Sequence, residues 1–109
     1  MALGIAHFAP AHNIFDVAAA AESGVQVVNV PEYSSEEVST NAVGLLLSCL
    51  RRLPVYDRST MAGEWDWEVG RPIHRLRGQT IGLVAFGDIA QRTAQKLEGF
   101  DVTLLAYDP

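Results

Sequence analysis

The sequence predicts an α/β fold built on parallel strands. Three observations carry that reading. Strand-like and helix-like segments alternate along the chain, and alternation of this kind implies a parallel sheet with crossover helices. Three runs read as strands: Val25 to Val30 (VQVVNV), Thr80 to Phe86 (TIGLVAF), of buried type, and Asp101 to Tyr107 (DVTLLAY). The first is β-branched and almost continuously apolar, which suits a strand covered on both faces. Finally, a small-residue turn, Ala85-Phe86-Gly87-Asp88-Ile89-Ala90, joins the second of these runs to a helical pattern.

The elements follow in order. Leu3 to Phe8 is a short apolar run expected to form a buried strand. Asp16 is placed to cap a short helix over Val17 to Ser23, with four consecutive alanines and Gly24 at the C′ position. Val25 to Val30 is the next strand, and Pro31 ends it. Ser34-Ser35-Glu36-Glu37 matches the S-x-x-E capping box. Val38, Ala42, Leu45, Leu46, Cys49, Leu50 and Leu53 then form one apolar stripe of a helix of about five turns, which Pro54 is expected to stop. Cys49 lies on that stripe and reads as a packed thiol. A short helix is expected within Val55 to Gly63, followed by the polar and aromatic stretch Glu64 to Glu68 and the basic stretch Arg71 to Gly78. The strand 80–86, a helix over Ile89 to Glu98 with Gly99 after it, and the strand 101–107 complete the pattern.

Composition excludes several classes. Of 109 residues, 49% are hydrophobic and 19% charged, which is globular and not disordered composition. The net charge of −5 argues against a nucleic-acid partner, since polyanion binders carry the opposite balance. The single cysteine rules out an internal disulfide or a zinc–thiolate cluster, so no metal is expected. No basic segment precedes an apolar run at the N-terminus, so no signal peptide is expected. No apolar run approaches the roughly 20 residues of a membrane span, and a cytoplasmic location is expected.

Residues 80–108 carry the chemistry. The dinucleotide-binding fingerprint is G-x-G-x-x-G/A between a strand and a helix, with an acidic residue about 20 positions on. Here it reads A-x-G-x-x-A, and Asp108 stands 21 residues after Gly87. Gly87 would let the backbone approach a pyrophosphate, and Ala90 would permit close helix–strand packing. Ala85 departs from the first glycine and is expected to require φ < 0. The amides of Asp88, Ile89 and Ala90 would face the pyrophosphate from a helix N-terminus. Asp108 would accept from the adenosine ribose hydroxyls, favouring NAD over NADP. Asp88 suits the helix macrodipole, yet would repel a pyrophosphate unless turned to solvent or screened.

From about Ile5 to Pro109 the chain resembles the D-isomer-specific 2-hydroxyacid dehydrogenase family. The resemblance rests on Asp16 to Val25 leading to Val28-Asn29-Val30-Pro31, and on Glu36-Glu37-Val38 opening a helix that ends Arg51-Arg52-Leu53. Gly63-Glu64-Trp65, Leu76 to Val84, the 85–90 turn and Ala106-Tyr107-Asp108-Pro109 complete it. It implies parts of two Rossmann-like domains. Residues 1–34 would be the end of a flavodoxin-like substrate-binding domain, and 35–109 the interdomain helix with the first βαβ of an NAD-binding domain. It implies hydride transfer between NAD and C2 of a D-2-hydroxy or 2-keto acid. It also implies a homodimer through the interdomain helix and the Trp65/Trp67 arm.

The chain departs from the family in two places. The family's substrate loop reads close to G-V-G-x-D-N-I-D, whereas this chain has Ala9-Pro10-Ala11-His12-Asn13-Ile14-Phe15-Asp16. The loop amides of Ala9, Pro10 and Ala11 would face the substrate carboxylate. Pro10 has no N–H to donate, and a lost charge-assisted bond costs on the order of 1.5–3 kcal/mol. His7 and His12 flank this loop, and neither is read as catalytic. The family's catalytic Arg, Glu and His come later than the last strand here, so no catalytic residue is assigned. The chain therefore reads as a fragment of a protein about three times longer, inactive alone. The alternative is a non-catalytic, NAD-sensing module of the family's corepressor-like branch. A degenerate remnant without a stable fold is the third reading, because two half-domains leave sheet edges uncovered.

Overall fold

A computed structural model of the chain describes residues 4–9 and 14–109. These fall into two compact units, one running to Ser35 and the other from Glu36 to Pro109.

In the first unit, β1 (Gly4–His7) and β2 (Gln26–Asn29) pair in parallel, with Gly4 opposite Gln26 and His7 opposite Asn29. Helix α1 (Val17–Glu22) makes the crossover. Asp16 caps it as expected, its Oδ1 accepting from the Ala19 amide at 2.9 Å. Gly24 takes the left-handed conformation at φ 69°, and the Val25 amide returns to the Ala20 carbonyl at 2.9 Å, the closure expected of a C′ glycine. Beside the strand end, the His7 and Phe15 rings meet edge to face with centroids 5.1 Å apart.

The second unit holds most of α2 (Ser35–Leu50), α3 (Leu53–Met61) and a βαβ unit. The latter comprises β3 (Thr80–Val84), α4 (Asp88–Leu97), a 3-10 turn over Glu98–Phe100 and β4 (Thr103–Tyr107). β3 and β4 pair in parallel from Thr80 opposite Thr103 to Val84 opposite Tyr107. The Ala85 amide extends the ladder one step, donating to the Tyr107 carbonyl at 2.7 Å. Leu97, on the inner face of α4, is 1% exposed. Lys96 reaches Glu36 of α2 at 2.8 Å.

Several expectations are corrected. The five-turn helix does not run to Leu53. It ends at Leu50, and Arg52 adopts φ 57°, ψ 29° before α3 begins, with Pro54 in the first turn of α3. Proline is tolerated there because a first-turn N–H has no intrahelical acceptor to lose. Ser34 sits at φ 59° and not in the extended conformation of a capping-box residue. The α2 face that is buried carries Ser35 and Ser39, while Val38, Leu45 and Cys49 are exposed. Cys49 is therefore not a packed thiol. The 25–30 strand is not covered on both faces either, with Val28 49% exposed, and the 80–86 run is not buried at its end, with Val84 84% exposed. Among the described residues each sheet has two strands, and one crossover helix shields only one face.

Candidate functional site

The turn between β3 and α4 is built from backbone. Ala85 adopts φ 70°, which contradicts the expected φ < 0. The chain leaves β3 still hydrogen-bonded to β4 and must reverse direction at once into α4. A left-handed residue makes that turn, and alanine takes the conformation at a cost of about 1 kcal/mol relative to glycine. Gly87 then serves as the N-cap of α4 at φ −71°, ψ −173°, a conformation open to any residue. A methyl group added there would meet no other atom within 4 Å. Nothing in the turn's own conformation or packing therefore calls for glycine at this position.

The helix opens directly on this bare backbone. The Gln91 amide donates to the Gly87 carbonyl at 3.0 Å, so the helical ladder begins one turn in. Amides of the first turn, including those of Ile89 and Ala90, precede that ladder and have no intrahelical carbonyl. Glycine has no side chain to cap them. Partial positive charge collects at such a terminus.

The structure brings Asp108 to this turn. Its Oδ1 accepts from the Phe86 amide at 3.1 Å, across 22 residues. A carboxylate has acceptor capacity for several hydrogen bonds, so this contact orients the group without exhausting it. The Gln91 side chain holds the turn from the other side, its Nε2 donating to the Phe86 carbonyl at 2.9 Å. Asp88 is bridged by Arg92, whose Nε lies 3.0 and 3.1 Å from its two carboxylate oxygens. Ala85, Gly87, Asp88, Ile89, Ala90 and Asp108 thus lie along one short stretch at the carboxyl ends of β3 and β4. Gln91 and Arg92 were not anticipated. Their positions, one turn into α4 from the 86–88 segment, are the signal that could have pointed to them.

The other sequence-derived candidates are elsewhere. Ala9 directly follows β1 and Phe8, while Pro10, Ala11 and His12 lie outside the described residues. A hollow of about 220 Å³ lies not at the turn but on the aromatic arm, lined by Tyr56, Thr60, Glu64, Trp65, Asp66 and Trp67. Its shape is fixed by the Tyr56 hydroxyl, which donates to the Trp67 carbonyl at 2.7 Å, and by Arg71, stacked 4.0 Å from the Trp67 ring. Trp65 is 94% exposed. Among the described residues no group of three or more His, Cys, Asp or Glu is placed to hold a metal ion. No helix among them is long and apolar enough to cross a membrane.

Comparison with known proteins accords with this geometry. Residues 43–109 match the family described as D-isomer specific 2-hydroxyacid dehydrogenase, NAD binding domain. The chain is 37% identical to the D-3-phosphoglycerate dehydrogenase of Methanocaldococcus jannaschii, over 86% of this chain and 18% of that protein. It is 36% identical to the hydroxypyruvate reductase of Thermotoga maritima, over 86% of this chain and 30% of that one. Among solved structures it superposes with TM-score 0.81 on the NAD-dependent formate dehydrogenase of Staphylococcus aureus in complex with NAD. That match is 36% identical and covers 96% of this chain and 33% of the other. The chain thus spans a third or less of the length of these relatives. Its α/β architecture of parallel strands is that of their Rossmann-like nucleotide domain, and the chain belongs to the D-isomer-specific 2-hydroxyacid dehydrogenase family.

Proposed function

We propose that the 80–109 βαβ unit binds NAD, with the pyrophosphate over Gly87 and the adenosine ribose at Asp108. The observation that carries this reading is Gly87. Its φ and ψ suit any residue, and a Cβ there would point into open space. A glycine that the chain's own geometry does not require fits a place where another molecule comes close to the backbone. The donor set fits as well, since first-turn amides of α4 suit a phosphate and an acceptor-only carboxylate suits a ribose diol.

In this reading each residue has a defined task. Ala85 turns the chain, and Ala90 keeps the first turn of α4 close to β3. The Ile89 and Ala90 amides bind phosphate oxygens. The Phe86 amide holds Asp108 in position, and the carboxylate favours a free ribose 2′-hydroxyl over a charged 2′-phosphate. NAD, when bound, accepts or supplies the hydride exchanged with C2 of a D-2-hydroxy or 2-keto acid. No residue of this chain is assigned to proton transfer.

The wider reading follows the family. Residues 1–34 belong to a substrate-binding domain, with Ala9, Pro10 and Ala11 at its carboxylate loop, and 35–109 comprise the interdomain helix and the start of the NAD-binding domain. The exposed apolar residues Val38 and Leu45 of α2, with Trp65 and Trp67 of the arm, are the surface for a homodimer. A non-catalytic, NAD-sensing role is favoured by one feature, Pro10, which removes an amide from the carboxylate loop.

Calorimetric titration of the chain with NADH and NADPH tests the cofactor assignment. Saturable binding that prefers NADH is expected. A folded protein that takes up neither, or prefers NADPH, refutes it.

A further inference from the structure

We propose that Arg92 is a positioning residue for the dinucleotide pyrophosphate, acting by neutralising Asp88. The inference rests on the nucleotide-binding reading above and goes beyond the fingerprint residues. Asp88 is the first residue of α4 and directly follows Gly87. A carboxylate at that point lies beside the path assigned to a doubly charged pyrophosphate. Left alone, it would oppose the attraction that the helix terminus and its amides supply.

Arg92 removes that opposition. Its Nε lies 3.0 Å from one Asp88 oxygen and 3.1 Å from the other. The pair is local, four residues apart on one helix. Pairing cancels the carboxylate's charge at the rim while Asp88 keeps its favourable place at the positive pole of the helix. Only Nε is engaged by these contacts, and the guanidinium's remaining N–H groups belong to its two terminal nitrogens. The pair therefore presents a neutralised carboxylate, not a bare anion, in the first turn of α4. An ordinary acid-to-arginine pair at i, i+4 would do no more than support the helix. The two roles differ in what they predict for the ligand.

The test is a double-mutant cycle read by calorimetry with NADH and, as a phosphate-free probe, adenosine. Arg92→Gln is expected to weaken NADH binding about tenfold at low salt, by removing a positive charge from the Asp88 carboxylate, while adenosine affinity is unchanged. The loss should shrink at about 0.5 M salt, where the Debye length falls below about 5 Å. Asp88→Asn/Arg92→Gln should bind NADH within about twofold of Asp88→Asn alone, and Arg92→Lys should retain most of the affinity. A thermal melt of each variant reports helix support separately. If Arg92→Gln melts lower but binds NADH normally, the pair serves the helix alone and the proposal is overturned. Equal loss of NADH and adenosine affinity overturns it too. If the unaltered chain binds no NADH, the nucleotide-binding reading fails and takes the proposal with it. Saturable NADH binding by the wild-type chain, with a salt-sensitive loss in Arg92→Gln that spares adenosine, supports both.

Discussion

The Asp108 carboxylate accepts a hydrogen bond from the Phe86 backbone amide at 3.1 Å, joining the end of β4 to the turn that opens α4. The bond gives the acidic residue a fixed place relative to the bare backbone of Gly87. Asp108→Asn keeps an acceptor for the Phe86 amide but loses the charge. We expect nearly unchanged stability, weaker NADH binding and a smaller preference for NADH over NADPH. Asp108→Ala also leaves the amide to water, at about 0.5–1 kcal/mol of stability for an exposed bond. Parallel titrations and urea unfolding of the two variants separate the effects.

Gly87 and Ala85 should respond in opposite ways. Gly87 has an ordinary conformation and open space beyond it. Gly87→Ala is expected to change stability by less than about 1 kcal/mol, the range of an N-cap glycine exchange, yet to weaken NADH binding at least tenfold. A stability loss large enough to account for the affinity loss would contradict the assignment.

Ala85 is the strained position, at φ 70°. Ala85→Gly should stabilise the chain by about 1 kcal/mol, read as a shift of the urea midpoint, less the entropy glycine adds to the unfolded state. Ala85→Val should instead destabilise it, because a β-branched residue tolerates positive φ poorly.

The arm depends on a close contact at Gly70. A methyl group there would come within 2.6 Å of the Tyr56 ring, whose hydroxyl is tied to the Trp67 carbonyl. The ring cannot yield freely, so Gly70→Ala should cost about 1–3 kcal/mol. Circular dichroism melts check this. Fluorescence of Trp65 and Trp67 should report the accompanying disruption.

Glu36 gives a pH signature. The hydrogen bond from the Lys96 ammonium, aided by the charges of Lys96 and Arg92, holds its carboxyl below the usual carboxylate range despite an opposing desolvation cost. A depressed folded-state pKa means the contribution is present above the unfolded value and is lost as pH falls through the folded one. The stability gap between the unaltered chain and Glu36→Gln should therefore be steady near neutrality and close in the acid range. A gap that widens on acidification would contradict the pairing.

Some of this architecture was legible in the sequence for local reasons. Asp16 and Gly24 mark the ends of α1 because caps and left-handed glycines act within one turn. The A-x-G-x-x-A turn and Asp108 were legible because spacing along a βαβ unit fixes which strand ends meet. What the sequence concealed depends on geometry across elements or on strain. The apolar repeat continues through Leu50 and Leu53, so it hides the break at Arg52, which is set by backbone conformation and not by periodicity. Cys49 reads as buried because periodicity identifies an apolar stripe but not whether another element covers it. The positive φ of Ala85 runs against its side chain and follows from the need to leave a paired strand abruptly. Arg92 was hidden by its ordinary appearance on a helix face, and its relation to Asp88 emerges only beside the turn.

Backbone amide NMR of the chain titrated with NADH shows directly whether the turn from Ala85 to Ala90, with Asp108, is a dinucleotide cradle. Saturable shifts are expected, concentrated at Phe86 to Gln91 and at Tyr107 and Asp108, with little change in α1 or β1. A dispersed spectrum of a folded chain that shows no shifts, or shifts centred on the Tyr56–Trp67 hollow, would contradict it.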